Sequence, residues 1–276
     1  MTLSLAAPRA ALPNVRGMWA DAPGFTGLAL FLMLMLVPLY AAMALDGRLF
    51  QGENPWLKPI KFHYALSIYL ITLAFFARYM PSATLAKRAW RGFALAVCLA
   101  VTGEVVWLSS AAMLNTASHF NTTIPVFTAV YSLMGVLAVL LTSASAVMGI
   151  AIWRNPDSGL APSLNLSVAL GLVLTFVSTV IVAGYLSSNG THFVGSSTRQ
   201  IWLMGWSRDA GDLRVAHFLA THALHAVPLA GLLAVRTLPP AMATPAVWAA
   251  CAAYGALIFG TFLQALNGQP FLPFIG

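Results

Sequence analysis

Long uncharged apolar runs recur along this chain, and they constrain its fold more than any other feature. Seven of them, near residues 26–45, 60–80, 92–114, 124–153, 164–187, 213–235 and 245–266, match the span length of a membrane helix. Crossing a hydrocarbon core of about 30 Å takes about 20 helical residues. Lipid offers backbone groups no hydrogen bonds, so such runs fold as helices. The reading is an all-α, polytopic transmembrane helix bundle of about seven spans, forming a single domain over residues 1–276.

Composition excludes a soluble globule: 59% of residues are hydrophobic and 8% charged, against roughly 25% charged in soluble domains. The 14 Lys+Arg outnumber the 7 Asp+Glu, a net charge of +7. In a soluble protein that surplus would raise nucleic acid as a partner; here it reads as anchoring at the cytoplasmic face. The expected partner is the lipid bilayer, with no nucleic acid. Cys98 and Cys251 both lie in apolar runs and read as small packing residues. The scattered glycines form no nucleotide-binding loop.

Helix-start chemistry supports the segmentation. Pro59, Pro125, Pro162 and Pro245 fall in or near first turns, where a missing N–H costs nothing. Thr123, Asp212 and Thr244 are expected N-caps. Pro239-Pro240 separates the last two spans. The first run has a second reading as a signal-peptide core, because Ala42-Met43-Ala44 fits a cleavage pattern and Arg9 and Arg16 precede it.

With seven spans, one side holds eight basic residues (Arg9, Arg16, Arg78, Lys87, Arg88, Arg91, Arg154 and Arg236) and the other holds six. This bias favours a cytoplasmic N-terminus and an outside C-terminus, in the inner (plasma) membrane. Trp19, Trp90, Trp153 and Trp248 then mark inner ends, and Trp56, Trp202 and Trp206 the outer surface. The stretch Ile201 to Trp206 is expected to form a short interfacial helix. Small and hydroxyl residues at Thr128, Tyr131, Ser132 and Gly135, and at Ser167, Gly171, Thr175 and Ser178, predict close helix packing.

Polar residues inside the spans carry the functional expectations. All six histidines (His63, His119, His192, His217, His222 and His225) map to the outer half. Stepping by 100° per residue puts Arg214, His217, Thr221 and His225 in one stripe about 80° wide, with His222 beside it. His225 then lies about 16 Å below Arg214. Glu104 is the only other ionisable residue deep in a span, and such groups usually face an interior and mark function. Depth counting places it level with His222 and His225. Glu104, Thr221 and Arg214 are expected ligand or proton-relay residues. His217, His222, His225, His63 and His119 are candidate metal ligands, for copper, zinc or haem iron. Each also has an ordinary reading: interhelical hydrogen bonds for the histidines, a neutral hydrogen-bonded Glu104, and snorkelling bases for Lys58, Lys61, Arg208 and Arg214. His192 reads as a loop residue.

The segments Asn54-Pro55-Trp56-Leu57-Lys58-Pro59-Ile60-Lys61-Phe62, Ser118-His119-Phe120-Asn121 and the run from Arg214 to Leu224 resemble those of bacterial multi-pass membrane proteins without an assigned function. The resemblance implies a membrane location and carries no activity. Three readings follow: an outward-facing His/Glu pocket that binds metal or haem and moves electrons or protons; a transporter or receptor for a small solute with Glu104 as a proton-coupled gate; and a non-catalytic assembly protein.

Overall fold

The computed structural model describes residues 15–201 and 204–273. Arg9 and Trp202, which enter the orientation argument, lie outside the described residues. Among the described residues, seven helices are long and apolar enough to cross a membrane: α2 (Pro23–Leu45), α3 (Leu57–Ala77), α5 (Arg88–Met113), α6 (Pro125–Trp153), α7 (Pro162–Asn189), α8 (Leu213–Thr237) and α9 (Pro240–Leu266). The chain is an all-α, multi-pass membrane protein. Short α1 (Val15–Asp21) and α4 (Ser82–Ala86) precede the first and third spans. The strands β1 (Phe193–Val194) and β2 (Gly211–Asp212) pair antiparallel before α8.

The first run is one unbroken helix from Pro23, with Pro38 inside it. Two expectations about boundaries are corrected. Thr244 does not cap the last span: α9 starts at Pro240 and contains Pro245, because Pro240 itself suits a first turn. In the Ile201 to Trp206 stretch, the described residues 201 and 204–206 do not form the expected interfacial helix. Ile201 N–H donates to Trp206 O at 2.8 Å and Gly205 N–H to Ile201 O at 2.7 Å, with Gln200 and Ser207 bridged beyond them, so the described part folds back as a hairpin.

Two compact units divide the chain: Met1–Ala144 with Asn155–Gly159, and Ser145–Arg154 with Leu160–Gly276. In the first, α2 and α3 pack through Leu36, Leu39 and Ile60, and α5 packs on both. A polar knot closes one end of it. Arg48 pairs with Asp46 at 2.6 Å and donates to Met113 O at 3.1 Å, satisfying a carbonyl that α5 leaves open at its C-terminus. Trp56 Nε1 donates to Asp46 at 2.8 Å, and Asn54 to Asp46 O at 2.9 Å. Hydrogen bonds from Arg48 hold the Asp46 carboxyl well below the usual carboxylate range. Gly135 and Ser132 of the α6 stripe line an open groove instead of a tight contact.

In the second unit, α7 and α8 approach as the small-residue stripe predicts. A Cβ on Gly171 would lie 2.7 Å from Pro228 Cδ and 2.9 Å from Ala223 O, and one on Gly231 would overlap Ser167. Ala216, Ala220 and Ala223 of α8 pack with Val182 of α7 and with Ile258, Phe262 and Ala265 of α9. Above them sits a cap made by the segment from His192 to Asp212. Asp209 binds it together, accepting from Thr198 N–H at 3.0 Å, Arg199 N–H at 3.1 Å and Ser207 Oγ at 3.0 Å. The Thr198 hydroxyl, first among these donors, holds the Asp209 carboxyl down at about 2.

Candidate functional site

Helix α8 has two faces of different chemistry. Ala216, Ala220 and Ala223 are buried in the packed face. At 100° per residue, Arg214, Thr221, His222 and His225 fall on the opposite side, with His217 at its edge. The ring of His222 stacks on that of Phe218 at 4.0 Å, an i, i+4 pair. Its Nδ1 lies 2.8 Å from Phe218 O. A carbonyl only accepts, so Nδ1 carries the hydrogen and Nε2 of the neutral ring is left as an acceptor. The Thr221 hydroxyl donates to the same carbonyl at 2.9 Å and lies 3.3 Å from that nitrogen. One turn deeper, the His225 ring is 5.4 Å from that of His222. On the other side, His217 Nδ1 is buried and makes no hydrogen bond among the described residues. Trp206 packs edge-on against Phe218 at 5.4 Å.

Arg214, expected beside these rings as a relay or anion-binding base, is committed to the cap. It pairs with Asp212 at 2.7 Å, donates to Gly205 O and stacks over Phe193 at 4.8 Å. Asp212 is the N-cap the sequence predicts, accepting from Arg214 N–H at 3.0 Å and also from Ser207 N–H at 2.9 Å.

The remaining candidates belong to the first unit. Glu104 is buried on α5, 4% exposed, and its Oε1 makes no hydrogen bond among the described residues. His63 is buried on α3, and its Nδ1 donates to Pro59 O at 2.8 Å. His119 packs against Phe62 at 5.8 Å and Tyr131 at 6.1 Å, with Ser118 Oγ 3.1 Å from its Nδ1. Its loop is pinned by Trp107 Nε1, which donates to Ser118 O at 2.8 Å, and by buried Asn121, which donates to Ala117 O at 2.8 Å.

The structure lends the expected copper or zinc centre no support. Among the described residues no three or more His, Cys, Asp or Glu side chains are grouped to hold a metal ion. On α8 the His222 and His225 rings lie 5.4 Å apart, while His217 stands about 140° round the helix from His222. Two contributors were not singled out from the sequence. Phe218 orients His222, and was signalled by its i, i+4 spacing. Ser67 is 2% exposed on α3 with an unbonded Oγ; it follows His63 by four residues, so the two share a face.

No protein-family model, curated protein or solved structure matches the chain.

Proposed function

We propose that this is a bacterial inner-membrane protein that moves protons, with the imidazoles of α8 as the carriers, its N-terminus cytoplasmic and its C-terminus outside. The observation that carries the reading is the His222–His225 pair, with rings 5.4 Å apart on the face of α8 opposite its packed alanines. Histidine is the side chain that exchanges protons near neutral pH, and ionisable groups within spans mark proton and ion pathways. From His217 to His225 the helix descends about 12 Å, a substantial part of a core of about 30 Å. Thr221 lies between, four residues from each, with an oxygen able to accept. The Nδ1 hydrogen bond of His222 to Phe218 O leaves Nε2 to take up the proton. The basic cluster Lys87, Arg88 and Arg91, at the start of α5, supports the orientation.

The test is proton flux in liposomes containing the purified full chain, with a potassium diffusion potential as driving force and a pH dye inside. Flux above that of protein-free vesicles is expected, with most of it lost in His222→Ala and in His225→Ala and none lost in His192→Ala. Flux equal to that of empty vesicles, or unchanged in both α8 variants, overturns the reading and leaves an assembly role. Cysteines placed at Lys87 and Ser197 test the orientation: outside labelling is expected at 197 alone.

A further inference from the structure

We propose that Glu104 is a further proton-binding site, a carboxylic acid in a span of the first unit that takes up and releases a proton. It stands whether or not the α8 histidines carry protons. An ionised carboxylate in a membrane span persists when it is paired and hydrogen-bonded, and is otherwise too costly. Glu104 is 4% exposed and its Oε1 has no hydrogen bond among the described residues. A side chain that served only to staple helices would use that oxygen.

The neighbouring elements supply little compensating charge. Of the helices packed on α5, α2 and α4 contain no charged residue. α3 carries Lys58, Lys61 and His63; Lys61 is exposed, and the Nδ1 of His63 is engaged by Pro59 O. On α5 itself, Arg88 and Arg91 lie about 20 Å or more down the helix. Lys58 remains, half-buried in the first turn of α3.

Ser67 adds an independent sign of unused hydrogen-bonding capacity on α3. Hydroxyls in helices commonly bond back to the i−4 or i−3 carbonyl, as Thr72, Thr102 and Ser110 do here. The buried Ser67 Oγ makes no such bond. Buried polar atoms of this kind are the partners that internal water requires, and water is what would deliver a proton.

A hydrophobic carbodiimide tests the site on the unaltered chain in liposomes. The reagent reacts with the protonated acid: the carboxyl oxygen bonds to its central carbon, the acid proton passes to one of its nitrogens, and acyl migration to nitrogen gives a stable N-acylurea with nothing released. Peptide mass mapping should find the adduct on Glu104, with its yield falling as pH rises. Water-soluble carbodiimide should leave Glu104 unmodified. No adduct at acid pH, a yield indifferent to pH, or equal labelling by the water-soluble reagent overturns the proposal. Labelling reads Glu104 directly and flux reads α8, so failure of one is distinguishable from failure of the other.

Discussion

Asp212 of the second unit and Glu104 of the first are both buried acids, and the protein treats them in opposite ways. Asp212 sits at the head of α8 with its side chain fully buried. Every neighbour there donates to it: Arg214 through backbone and guanidinium, and Ser207 through its backbone. Glu104 lies well inside α5 with an oxygen left over. A satisfied buried acid is a structural element, because removing it strands its partners. An acid with spare capacity has little structure to lose, and this marks it for chemistry.

The largest expected effect tests the structural half of that contrast. Asp212→Ala should lower stability by about 3 kcal/mol, the low end for a broken buried pair, because Arg214 keeps 26% of its side chain exposed. Loss of the N-cap adds about 1 kcal/mol. Chemical denaturation in micelles checks it, and a loss below about 1 kcal/mol would place Asp212 among ordinary surface pairs. Next comes Gly171→Leu, which drives a side chain into Pro228 and the Ala223 carbonyl and should cost about 1 to 3 kcal/mol as overpacking. It probes whether close α7–α8 contact, rather than the cap alone, holds the second unit.

Glu104→Gln should change stability by less than about 1 kcal/mol, since a neutral isostere removes no satisfied pair, while abolishing carbodiimide labelling at that position. A loss as large as that of Asp212→Ala would erase the distinction between the two acids. Smaller again, His222→Ala should lower the melting temperature slightly, an intramembrane hydrogen bond being worth about 1 kcal/mol or less, while removing most proton flux.

Acid should act on the cap through Asp209. Its folded pKa is depressed from 3.8 to about 2, so the unfolded chain binds the proton first. The contribution is present above 3.8 and is lost as pH falls through about 2. The carboxylate is surface-exposed, so the effect is the smallest here. A fall in Trp206 fluorescence order confined to that window would show it; an unaltered signal would mean that Asp209 does not hold the hairpin.

Much of the architecture was legible because lipid enforces it. Runs of the required length can only be helices, so the span positions followed from hydropathy with shifts of a few residues. Helix-end chemistry was legible where it was local: Asp212 at the head of α8 caps its own first turn. It misled at α9, where two prolines five residues apart, Pro240 and Pro245, both suit a first turn and the earlier one starts the helix. The polar stripe of α8 was readable by the same periodicity, as was the burial of Glu104, since charge at that depth must avoid lipid.

The sequence by itself thus determined the spans and which polar residues lie inside them, because the bilayer acts on each helix separately. Only the tertiary structure decided which of those residues are satisfied. Arg214 looked available until the hairpin brought Gly205 and Phe193 to it. Only the structure showed the His63 Nδ1 donating to Pro59 O, which leaves its Nε2 as the free nitrogen. Hydrogen-bond partners depend on loop geometry and side-chain direction at the scale of an ångström, and neither is written in hydropathy.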